Sequence, residues 1–215
     1  MRNATDGLRL GILGGTFDPI HYAHLVIAEE CRARLELESV IFIPAGEPPH
    51  KRRQSVTSAA HRLAMVELAI AGNPGFRTSR IEVDRSGPSF SSDTVAALRA
   101  EHGPEAELYF IVGQDALADI LTWHEPDRLI ALCHLVAIRR PGVREPDMAA
   151  LEAAIPGASR RVILLSAPEL NISATNLRWR VGSGLPIRYQ VPEAVVEYIH
   201  RHELYGHTLA SRPLA

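Results

Sequence analysis

Five short, nearly continuous apolar runs, at residues 8–13, 40–43, 108–112, 134–138 and 162–165, constrain this chain more than any other feature. Continuous rather than alternating hydrophobicity marks strands covered on both faces, as in a parallel sheet. Helical patterns fill the gaps between them. Leu25, Ala28, Cys31 and Leu35 form one stripe, and Leu63, Val66, Leu68 and Ile70 fall in a second segment introduced by Thr57-Ser58. A third pattern spans 94–99 after a Ser/Asp start, and Pro192 opens a last one through Val195, Val196 and Ile199. Strands alternating with helices predict an α/β fold: one Rossmann-like, doubly wound parallel sheet with helices on both faces. The domain is expected over residues 1–205, with 206–215 as a flexible tail and 141–146 as a surface loop.

Composition narrows the function. The chain has 215 residues, with 46% hydrophobic and 22% charged, ordinary values for a globular domain. Its 23 Lys+Arg against 25 Asp+Glu give a net charge of −2, which provides no broad basic surface for nucleic acid. Any anion site must be local. No apolar run reaches the roughly 18–20 residues of a membrane span, and residues 1–7 lack the apolar stretch of a secretory leader. Cys31 and Cys133 are the only cysteines, so a cytoplasmic, reducing environment is expected.

In open sheets of this kind ligands bind beyond the carboxyl ends of the strands. The first such loop reads Gly14-Gly15-Thr16-Phe17-Asp18-Pro19-Ile20-His21-Tyr22-Ala23-His24. Two glycines allow close backbone approach, and the following helix start offers free N–H groups to a phosphate. His21 and His24, three apart, project from one face of the opening turn. Two imidazoles at a phosphate-binding helix start suggest donors aimed at phosphoryl oxygens. A capped helix with merely polar histidines is the plain alternative. A zinc site would want i, i+4 spacing and further ligands, and neither a Gly-x-Gly-x-x-Gly fingerprint nor a Walker loop is spelled here.

With those residues in view, the loop resembles the signature of the nucleotidylyltransferase superfamily, His-x-Gly-His after the first strand, with Ala23 in place of the glycine. From Leu10 to about Tyr205 the chain looks like the bacterial nicotinate mononucleotide adenylyltransferases. The resemblance implies transfer of AMP from ATP to nicotinate mononucleotide, with Mg²⁺ carried on the ATP phosphates and no metal ligands from the protein. It implies small-molecule partners only, no nucleic acid and no membrane, and a monomer or small homo-oligomer.

Other segments match. Ile172-Ser173-Ala174-Thr175-Asn176-Leu177-Arg178 reads alone as a capped amphipathic helix; the resemblance makes Ser173, Thr175 and Arg178 the holders of the ATP phosphates. Pro48-Pro49-His50-Lys51-Arg52-Arg53 resembles a substrate loop in which Lys51, with His50, meets phosphate. Asp115, after Gly113-Gln114, is a helix cap on the plain reading and a ribose ligand by resemblance. Trp123 would stack on the pyridine, while His124 and the 88–91 turn, including Ser91, would give backbone N–H groups to its carboxylate. Arg139 and Arg140 match as well, or merely flank the sheet.

The resemblance makes His24, His21 and Arg178 catalytic, and Gly14, Gly15 and Thr16 positioners of the α-phosphate. The attacking phosphate is already ionised, so neither a general base nor a covalent intermediate is needed. Sister transferases that use nicotinamide mononucleotide or another phosphate acceptor share the histidine loop. A nucleotide-sensing module without catalysis is the alternative from another class. A class I aminoacyl-tRNA ligase would want a longer chain and an RNA-binding surface.

Overall fold

The computed structural model describes residues 7–46, 56–139, 142–143 and 145–206. His50, Lys51, Arg52 and Arg140, together with 207–215 of the expected tail, lie outside the described residues. Six strands form one sheet: β1 (Arg9–Gly15), β2 (Ser39–Pro44), β3 (Phe76–Thr78), β4 (Glu107–Gly113), β5 (His134–Ile138) and β6 (Val162–Leu165). Their order is β3-β2-β1-β4-β5-β6, and every neighbouring pair is parallel. The order reverses between β1 and β4, so the switch point where such sheets bind ligands lies at the ends of these two strands.

Five strands match the apolar runs; β3 was not expected from the sequence. Phe76-Arg77-Thr78 is an edge strand of three residues with no fully buried position, too short to carry a pattern.

The helices are α1 (Tyr22–Arg34), α2 (Ala59–Ile70), α3 (Ser91–His102), α4 (Gln114–Ala118), α5 (Pro126–Leu132), α6 (Met148–Ala154), α7 (Ala174–Gly182) and α8 (Glu193–Arg201). The middle residues of the longer strands are apolar because both sheet faces are roofed. Val40, Phe42, Tyr109, Ile111, Val136 and Ile138 face one core with Ala28, Cys31, Met65, Val66 and Val195 of α1, α2 and α8. Leu10, Ile12, Ile41, Ile43, Leu108, Phe110 and Leu135 face the other with Val95, Leu98, Leu117, Leu129 and Leu151 of α3, α4, α5 and α6. Successive strand residues thus alternate between two dry layers, as the pleat requires.

Two details depart from the sequence expectation. Leu68 of the second helical stripe is exposed; α2 instead buries Arg62 beside Leu63, Met65, Val66 and Ile70. The third helix starts at Ser91 rather than 94, so the 88–91 turn runs directly into its first turn.

Candidate active site

The loop from Gly15 into α1 is built into the core. Phe17, Asp18, Ile20 and His21 are all at most 5% exposed. Phe17 holds a left-handed backbone (φ 50°), which puts its ring where a Cβ on Gly15 would lie 2.9 Å from it. A side chain at 15 would have to displace the buried Phe17 ring. Gly14 is different: a Cβ there would meet only Phe110, at 3.9 Å, so its bareness leaves room on the exposed side.

His21 is the N-cap of α1 and His24 sits three residues on. Their rings stack at 3.7 Å and 23°, and the Phe17 ring edge meets His24 at 5.1 Å. The His21 backbone N–H donates to His24 Nδ1 at 3.2 Å, so this imidazole does the work that Glu or Gln does in a capping box. With Nδ1 accepting, a neutral ring carries its proton on Nε2.

The second segment expected to hold phosphate meets the first. Ser173 caps α7, its Oγ accepting from the Asn176 N–H at 3.2 Å. Arg178, one turn in, reaches back to donate to the Asp18 carbonyl at 2.7 Å, across 160 residues of sequence. Its other nitrogen lies 3.5 Å from Thr175 Oγ1. Arg178 is thus fastened to the loop that carries His21 and His24.

Asp18 itself accepts the Tyr205 hydroxyl at Oδ1 (2.7 Å) and the Thr57 N–H at Oδ2 (3.2 Å). Burial pushes the Tyr205 phenol far up, so it stays a donor to the carboxylate. Among the described residues no group of three or more His, Cys, Asp or Glu is arranged to hold a metal.

A cavity of about 740 Å³ opens at the β1–β4 switch point. Gly14, Gly15, Thr16 and His24 form one end of it; Ser89, Phe90, Ser91, Thr122, Trp123 and His124 form the other. Phe90 and His124 lie ring to ring at 4.1 Å, and Trp123 stands edge-on to Phe110 at 6.3 Å. At this second end α3 begins with no side chain capping it, Phe90 being the N-cap. Among the described residues the buried hydroxyls Ser89 Oγ and Ser92 Oγ meet no hydrogen-bond partner. Free helix N–H groups beside bare hydroxyls make an anion seat.

The cavity gathers His24, Gly14, Gly15, Thr16, Ser91, Trp123 and His124 from the expected residues. Ser173, Thr175 and Arg178 stand outside its wall, joined to it through Asp18. Asp115 is exposed in the first turn of α4, between cavity-lining Gly113 and Ala116. Arg139 is exposed, its backbone N–H bonded to the Leu165 carbonyl, so what the structure shows of it is a flank of the sheet.

Glu82 also lines the cavity and was not foreseen, since nothing in Ile81-Glu82-Val83 distinguishes it from a surface acid. Burial pushes its carboxyl up, against the Thr94 hydroxyl, which donates to it at 2.8 Å, and nearby Arg85.

A family profile described as cytidylyltransferase-like matches residues 12–180. A probable nicotinate-nucleotide adenylyltransferase of Moorella thermoacetica is 50% identical over 92% of this chain and 91% of its own. One from Thermomicrobium roseum is 49% identical over 95% of each. Among solved structures, a Plasmodium falciparum nicotinic acid mononucleotide adenylyltransferase complexed with NaAD covers 94% of this chain and 100% of that one, with a TM-score of 0.76 at 22% identity, a likeness of fold. The strand order, the histidine loop and these relatives agree: the chain belongs to the cytidylyltransferase-like family, among its nicotinate-nucleotide adenylyltransferases.

Proposed function

We infer that this protein transfers AMP from ATP to nicotinate mononucleotide, releasing pyrophosphate and forming nicotinate adenine dinucleotide. One observation carries the reading. The stacked-histidine loop and the uncapped start of α3 face the same cavity, so a phosphate at one end and a pyridine carboxylate at the other fit a single mononucleotide between them.

The mononucleotide phosphate is already anionic and attacks the α-phosphate of ATP directly, expelling pyrophosphate in one displacement. The chain needs no base; its task is to hold two polyanions together and meet the charge on the transferring group. His24 supplies its Nε2–H to the α-phosphate, with His21 stacked behind it, and the backbone of Gly14, Gly15 and Thr16 gives the phosphate close access. Ser173, Thr175 and Arg178 take the departing pyrophosphate. Asp115 serves the adenosine ribose, and Lys51 with His50 offsets the charge of the incoming mononucleotide.

ATP enters as its Mg²⁺ complex. Both carboxylate oxygens of Asp18, the buried acid of the loop, already accept hydrogen bonds, which suits an ion held by substrate phosphates. The ion's part is to neutralise charge on the leaving oxygens. A reducing cytoplasm fits Cys31 and Cys133, which lie in opposite core layers, each thiol pushed up to about 12 by burial.

A second acceptor, nicotinamide mononucleotide, is favoured by Glu82, whose carboxyl on the cavity wall could accept from an amide. Pyrophosphate release with ATP and each mononucleotide separates the two. The acid should lead in kcat/KM by at least about tenfold. Equal or reversed preference overturns the specificity, and no release with either removes the catalytic reading.

A further inference from the structure

Among the described residues Arg62 is the largest fully buried side chain, 1% exposed, and it lies in the apolar stripe of α2. An ion placed there faces a desolvation cost of several kcal/mol unless its donors are met. Burial does pull the guanidinium's proton affinity down, with the Asp18 charge opposing. Its hydrogen bonds run to three backbone carbonyls on three different stretches of chain. Nε donates to the Thr57 carbonyl at 2.8 Å, one terminal nitrogen to Thr16 at 2.8 Å, and the other to Gly46 at 3.0 Å.

One of these carbonyls lines the cavity, and the other two lie on segments packed beside it or behind the histidine loop. Thr16 lines the cavity beside His24. Gly46 follows cavity-lining Ala45, and its Cα is pressed on the opposite wall: a Cβ there would stand 2.1 Å from the Glu82 carbonyl oxygen and 3.7 Å from Ser89 Oγ. Thr57 gives its N–H to Asp18, which sits between the histidines and Arg178. A planar fork with five donors in fixed directions can set three carbonyls relative to one another; an ammonium on a flexible stem does so poorly.

We propose that Arg62 is a positioning residue for the transfer: its guanidinium sets the phosphate-binding loop, which walls the cavity, against the β2 exit beside it and the start of α2 behind it. The inference rests on the assignment of this cavity to the mononucleotide.

The test is Arg62→Lys, which keeps the charge and loses the fork, assayed with ATP and nicotinate mononucleotide at a temperature where circular dichroism shows the variant folded. The KM for the mononucleotide should rise about tenfold to a hundredfold, by the usual cost of misplaced binding groups. A merely structural role would lower the amount of active enzyme, and so the apparent kcat, with KM unchanged. Arg62→Gln, whose planar amide keeps part of the hydrogen bonding without the buried charge, should raise the same KM and takes the place of Arg62→Lys if that variant does not fold. An unchanged KM in the folded variant overturns the proposal, whatever kcat does. Absence of turnover in the unaltered protein would instead sink the reading of function, and the same assay shows it.

Discussion

The two segments assigned to phosphate in the proposed function are made in opposite ways. The loop after β1 is a core element: Phe17, Asp18 and His21 are buried, and their neighbours from α2 and α8, with Tyr205, close over them. The start of α7 is a surface element, with Ser173 and Thr175 exposed and only Leu177 fully buried. Arg178 joins the two through the Asp18 carbonyl. The contrast teaches that one half of the site is preset by folding, whereas the other is positioned by a cap and one long side chain. Changes in the first should therefore cost stability and activity together, and changes in the second should separate them.

The largest effect is expected at Asp18. Replacing it by Ala strips the acceptor from Tyr205 and Thr57 and the counter-charge from Arg62, at a cost of about 3–5 kcal/mol. Urea denaturation measures this; a loss under 1 kcal/mol would mean that the loop is not held by its buried acid. Next comes Arg178→Ala. It should lower kcat/KM about tenfold to a hundredfold and leave the thermal midpoint nearly unchanged, because the side chain is part-exposed and only bridges. A large drop in midpoint would erase the distinction between the two segments. Smallest is Ser173→Ala, which removes the cap of α7 at roughly 1 kcal/mol. If its rate loss exceeded that of Arg178→Ala, the hydroxyl rather than the guanidinium would lead at the phosphate.

The strands and the histidine loop were legible because their signals are local and repeated: five apolar runs, two glycines, two histidines in one turn. β3 was not, since three residues of an edge strand show no period. Arg62 left a trace, a lone cation three and four residues before Met65 and Val66 on one helix face, but the three carbonyls it meets belong to segments up to 46 residues away. The bond from the His21 N–H to His24 Nδ1 follows from loop geometry that residue types alone do not reveal. Glu82 entered the cavity through the packing of Gly46 against its carbonyl, a contact between distant loops.

The central claim is that the His24 imidazole, oriented by the loop, meets the charge that develops on the transferring phosphate. Turnover of His24→Ala with ATP and nicotinate mononucleotide, both saturating, tests it most directly. The account predicts a fall in kcat of at least about 10²-fold, with the circular dichroism spectrum of the folded protein retained. A folded variant that keeps near-normal kcat would contradict it.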